Sequence, residues 1–115
     1  MAAATAFADE ARRLHELAHL SDKDLARATG VAPSTARSWL ARNRSPSKYD
    51  TTERLAELSA LVDRLALVMN PGYIALWLRK PNRALADEKP LDVIASGGYR
   101  QVASLVSALE SPPAA

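Results

Sequence analysis

The residues His15-Glu16-Leu17-Ala18-His19 spell H-E-x-x-H. On a helix, two histidines four apart share a face and can hold zinc beside a glutamate that activates a metal-bound water. That chemistry also needs a third protein ligand and a substrate cleft. The chain has only these two histidines and no cysteine, so the third ligand would have to be a carboxylate, and no downstream motif nominates one. Leu14 and Leu17 turn the same helix inward against a core. The histidines are therefore expected as exposed or half-buried helix residues. The chain is expected not to be an enzyme and to carry no metal or cofactor.

A second constellation concerns binding rather than catalysis. Between Leu25 and Tyr49 stand five basic residues (Arg27, Arg37, Arg42, Arg44 and Lys48) and no acidic one, although the net charge of the whole chain is only +2. From Thr51 onward seven basic residues meet seven acidic ones. A local positive patch on a near-neutral chain points to a polyanion at one place, where an ordinary solvated face is the plain alternative. The basic stretch overlaps SDKDLARATGVAPSTARSWLARNR, which has the spacing of a helix-turn-helix. Leu25 and Ala26 face the crossing, Gly30 lies in the turn, Val31 plugs the corner, and Trp39 with Leu40 closes the core. Ala36 stands where such motifs place Val or Ile, so the packing there is expected to be slack or filled by a neighbour. The outward face would then present Ser34, Thr35, Arg37, Ser38, Arg42 and Arg44 as candidate DNA-binding residues, the first few to base edges and the arginines to phosphates. A helical hairpin in a bundle without DNA is the competing interpretation.

Helices must position these groups, and the composition supplies little else. Alanine occurs 23 times and aromatic residues make up 5%, so an all-α fold is expected. The spacing predicts a first helix over about 3–19, with Phe7, Ala11, Leu14, Leu17 and Ala18 on one face. Ser21 offers an N-cap for a short helix ending at Gly30, and Pro33 suits the first turn of a third. ARNRSPSKYD reads as a loop. Asp50 with Glu53 three residues on is expected to cap a long fourth helix. Its seam of Leu55, Leu58, Val62, Leu65 and Met69 could serve dimerisation or pack internally, and Asn70-Pro71-Gly72 would end it. Short helices follow at 73–78, 83–86, 90–95 and 99–109, punctuated by Pro81, Pro90, Gly97 and Gly98.

With 48% hydrophobic and 24% charged residues, the chain has the balance of a globular domain. MAAATAFADEARR lacks the basic-then-apolar order of a signal peptide, and LALVMNPGYIALWL is too short and too broken to span a bilayer. No membrane partner and a cytoplasmic location are expected, in keeping with the absence of cysteine.

The second half carries a sharper pattern: Trp77, then Pro81-Asn82-Arg83-Ala84-Leu85, then Lys89-Pro90-Leu91-Asp92-Val93-Ile94, then Gly97 and Gly98. This block resembles the toxin-binding domain of the Xre-like antitoxins of the MbcA and ParS type, found in RES/Xre toxin–antitoxin pairs. Those proteins place a helix-turn-helix ahead of it, and the resemblance spans roughly residues 14 to 110. It implies an all-helical homodimer that binds and silences a cognate RES-domain toxin, which degrades NAD, and that represses its own operon at operator DNA. The domains would be a DNA-binding region over 1–48 and a dimerisation and toxin-binding domain over 49–115. Candidate toxin-binding residues are Tyr73, Trp77, Arg79, Pro81, Asn82, Arg83 and Leu85, with Pro81, Pro90, Gly97 and Gly98 shaping the backbone. Tyr73, Ile74, Trp77 and Leu78 form an aromatic-rich surface suited to anchoring a partner, although core packing accounts equally well for Trp77 and better for Ile74. The alternative function is a stand-alone helix-turn-helix regulator without a toxin partner.

Overall fold

The computed structural model describes the backbone of residues 2–42 and 49–111 and the side chains of 6–41 and 50–111. Arg44 lies outside the described residues, as does the side chain of Arg42. Seven α-helices and one 3₁₀ turn follow one another among these residues, with no strand. α1 spans Ala2–Ala18, α2 Asp22–Thr29, α3 Pro33–Arg42, α4 Tyr49–Leu65, α5 Pro71–Arg79, α6 Pro90–Ala95 and α7 Tyr99–Glu110, with the 3₁₀ turn at Arg83–Leu85 between α5 and α6.

α1 buries Phe7, Ala11, Leu14 and Ala18 along one stripe, the three-and-four spacing its sequence presents. It stops one residue short of the expected end, because His19 takes a left-handed conformation (φ 59°) that folds Leu20 into the core. α2 begins with a reciprocal cap: the Ser21 hydroxyl accepts from the Asp24 amide, and the Asp24 carboxylate accepts from the Ser21 amide. This satisfies two donors that would otherwise be orphaned. At its far end Gly30 is left-handed (φ 77°), and its amide closes back on Ala26 at 2.8 Å. Glycine holds that conformation at little cost. Pro33 opens α3 as expected.

The small residue at 36 is part of the core. Ala36 is fully buried, and close by on α3 the ring of Trp39 meets Phe7 of α1 edge-on, with centroids 4.9 Å apart. α4 starts at Tyr49, so Asp50 lies inside the first turn rather than at the cap, where a negative charge still meets the positive end of the helix dipole. The helix closes at Leu65, and tight turns carry the chain through Met69. Asn70 does more than end it: its side chain accepts from the Gly72 amide at 2.8 Å and caps α5, with Pro71 as the first helical residue. The seam of α4 is internal, since Leu55, Leu58, Val62 and Leu65 are all buried within one chain.

A single hydrophobic core runs from Phe7 through Leu25, Trp39, Leu58, Ile74 and Leu91 to Val106. Helices α1 to α3 and α4 to α7 both contribute to it, and α2 packs against α3, α4 and α6. Among the described residues no helix is long and apolar enough to cross a membrane.

The turn from α6 to α7 depends on a missing side chain. A Cβ on Gly98 would stand 2.5 Å from Val93 Cγ1 and 3.0 Å from the Val93 carbonyl oxygen. Gly98→Ala is therefore expected to overpack this corner and cost about 1–3 kcal/mol, measured as a lower urea midpoint with unchanged slope. A variant as stable as the parent would show that α6 can shift without penalty.

Candidate functional site: two binding faces and the junction between them

The first face is the outside of α3. Pro33, Ser34, Thr35 and Arg37 are exposed and Ser38 is half-buried, while Ala36 and Trp39 face the core. Ser38 donates its hydroxyl to the Thr35 carbonyl at 2.6 Å, which leaves Ser34, Thr35 and Arg37 as the groups directed at solvent. Arg37 is held by Asp22 of α2 at 3.2 Å. Such an exposed pair contributes little and exchanges readily for a phosphate.

The second face is built on α5. Tyr73, Leu76, Trp77 and Lys80 recur at the spacing that shares one side of a helix, while Ile74, Ala75 and Leu78 occupy the buried side. Tyr73 is 41% exposed, Leu76 46% exposed and Trp77 half-buried. The Lys80 ammonium sits 5.6 Å from the centre of the Tyr73 ring, within cation–π range. In the turns before α5, Leu67 is 83% exposed and Val68 38%. Sequence reasoning missed Leu67, Val68 and Leu76. The position of Leu76, three after Tyr73 and four before Lys80, was the signal that could have found it.

The loop after α5 is stiff. Asn82 accepts from the Ala84 amide at 3.0 Å, its own amide donates to the Glu88 carbonyl at 3.0 Å, and Ala86 and Asp87 are both left-handed. Pro81 and Arg83 are exposed at its rim, whereas Leu85 lies in the core at 7% exposure. Leu85 thus anchors the loop from below, and what it offers a partner is the loop's shape rather than side-chain surface.

Arg79 reaches away from this face. Its guanidinium grips Asp24 of α2 through two hydrogen bonds, Nε at 2.9 Å and Nη2 at 2.6 Å. Asp24 is buried. Burial pushes its carboxyl up, but the Arg79 guanidinium together with the Ser21 amide and hydroxyl outweighs this and holds it below the usual carboxylate range. The hydrogen bonds it donates to the same carboxylate raise Arg79. A second pair, Arg27 with Asp92, ties α2 to α6. The α2–α3 pair is thereby clamped to α5 and α6 at two points, one of them through a buried carboxylate.

The H-E-x-x-H letters are not assembled for metal. His15 is exposed on α1 with its Nδ1 2.8 Å from the Leu20 carbonyl oxygen, and His19 lies beyond the end of that helix in a left-handed conformation. Among the described residues no three metal-ligating side chains converge.

The geometry defines a small all-helical protein with two candidate surfaces, on α3 and on α5, joined by ion pairs between α2, α5 and α6. Residues 70–111 match the family model described as the C-terminal toxin-binding domain of the Xre/MbcA/ParS antitoxins. The mycobacterial cidal antitoxin MbcA, in Mycobacterium bovis and in Mycobacterium tuberculosis, is 32% identical over 79 residues, 69% of this chain and 69% of that protein. A probable mycobacterial cidal antitoxin of M. tuberculosis is 33% identical over 81 residues, 70% of this chain and 68% of its own length. A chain in the crystal structure of the M. tuberculosis MbcT–MbcA toxin–antitoxin complex superposes with a TM-score of 0.76 at 26% identity, over 93% of this chain and 96% of that one. This chain belongs to the Xre/MbcA/ParS antitoxin family.

Proposed function

We propose that this chain is the antitoxin of a type II toxin–antitoxin pair. It binds and silences a RES-domain toxin that degrades NAD through α5 and the loop behind it, and represses its own operon through α2 and α3 used as a helix-turn-helix. The observation that carries the proposal is that the stretch matching a toxin-binding domain, 70–111, leaves Tyr73, Leu76 and part of Trp77 uncovered on one helix face. Apolar and aromatic side chains grouped in this way are the usual energetic centre of an interface. Trp77, Arg83 and the rim at Pro81 and Asn82 extend it along the stiff loop. The chain acts by binding and has no reaction of its own, and a second copy joins it through a surface other than the α4 seam, which the core has consumed.

Co-expression with the neighbouring gene product tests the first half of the proposal. Leu76→Asp, on an exposed position, should leave the antitoxin folded and weaken capture of the toxin by about 30-fold or more, the scale of one interface hot spot. Cells expressing the toxin with this variant should stop growing. Full rescue by Leu76→Asp together with Tyr73→Ala would remove this face from the interface.

The second half rests on the acid-free outer face of α3. Arg37→Ala should reduce retention of operator DNA and make its dependence on salt shallower by about one unit in the log–log slope. Unchanged retention would take α3 out of the groove.

A further inference from the structure

α2, α5 and the start of α6 enclose an open cavity of about 300 Å³. Lys23, Arg27, Arg79 and Lys89 line it, with Asp24 at its base. Asp24 is already saturated, one oxygen on Arg79 and the other shared between Arg79 and the Ser21 amide. The arginines are not. Arg79 holds Asp24 through Nε and Nη2, which leaves Nη1, and Arg27 holds Asp92 through Nε alone, which leaves both terminal nitrogens. Lys23 and Lys89 form no ion pair with the described residues. Four cations, two from α2, one from α5 and one at the cap of α6, thus line one concavity with the single carboxylate of Asp24.

We propose that this cavity is a phosphate cradle, in which Lys23, Arg27, Arg79 and Lys89 hold one phosphate group between α2 and α6. Guanidinium forks match phosphate oxygens two at a time, and lysines supply point charges from other directions. Donors converging from several sides suit a tetrahedral anion better than a planar carboxylate. The opening leaves room for what the phosphate is attached to. Two sources share this chemistry. One is a nucleic-acid backbone: the Asp22–Arg37 contact puts the first turn of α2 beside the outer face of α3, and a helix preceding a groove-bound one crosses the backbone. The other is a free phosphate compound. The cradle does not depend on the toxin, and its phosphate arm does not depend on DNA binding by α3.

The full chain and its Lys23→Gln/Lys89→Gln double variant test it. Lys23 is exposed and Lys89 half-buried, and neither is paired, so both proteins should melt together in sodium chloride; Lys89→Gln alone serves if they do not. Pyrophosphate, compared with chloride at equal ionic strength, should raise the parent's melting temperature, and the variant should lose at least half of that rise. On a non-operator duplex, the variant's salt dependence should be shallower by about one unit in the log–log slope if the backbone is the source. A pyrophosphate response with an unchanged slope assigns the cradle to a free phosphate compound. A changed slope without that response assigns it to the backbone. If parent and variant coincide in both arms, the cradle is wrong, while Arg37→Ala reports separately on α3.

Discussion

Asp24→Ala should lower the stability of the chain by about 2–3 kcal/mol, with Asp24→Asn losing about half as much. The aspartate serves two structures at once. It completes the cap of α2, whose loss costs about 1 kcal/mol, and it neutralises Arg79 across the junction. Breaking a fully buried pair costs about 3–5 kcal/mol because a desolvated charge is left behind. Here the Arg79 side chain is 44% exposed against 8% for Asp24, so the freed guanidinium can turn to water and the penalty falls below that range. Asparagine keeps an acceptor for the Ser21 amide and loses the charge alone. Acid should report the same interaction. A carboxyl held below its unfolded value stabilises the fold above about pH 4, and that contribution disappears as pH falls through the lower folded value. Glu10, lowered by its hydrogen bond from Arg13, follows the same sign. The gap between the parent and Asp24→Asn in urea midpoint should therefore close on the acid side of pH 4. A constant gap from pH 7 to pH 3 would show that the pair contributes no charge-dependent stability.

The junction also shows what the sequence could and could not disclose. α2, α3 and α6 were legible because each carries its own local instructions: Ser21 and Gly30 bracket α2, Pro33 opens α3, and Pro90 opens α6. The buried and exposed sides of α5 were half legible: Ile74 falls inward as expected, Leu78 is buried where it was grouped with the anchoring surface, and Leu76, not singled out at all, is exposed. His19 defeated periodicity, because nothing in its type announces a left-handed turn. The Arg79–Asp24 pair spans 55 residues, and no local pattern connects a capping aspartate to an arginine on a distant helix. Arg79 consequently looked like a surface group awaiting a partner when its carboxylate was already inside the molecule.

Truncation after Met69 should abolish the fold rather than isolate a DNA-binding half. The shortened chain would lose Ile74, Leu78, Leu91, Val93, Ile94, Val102 and Val106 from the core that Leu25, Leu58 and Leu65 share. At about 1.5–3 kcal/mol for each fully buried large side chain, the loss is as large as the roughly 5–15 kcal/mol by which a domain is stable at all. Both clamps on α2 would go with it, since Arg79 and Asp92 lie beyond the cut. Far-ultraviolet circular dichroism of residues 1–69 should show weak helicity and a urea response without a cooperative transition. DNA retention should then be lost with the fold, whatever α3 contributes. A sigmoidal transition in the fragment would mean that α1 to α4 hold a core of their own. The expected result carries a practical consequence for assigning roles: because one core supports both surfaces, the proposed toxin face and the proposed DNA face can be separated only by point variants on exposed positions, Leu76 for one and Arg37 for the other.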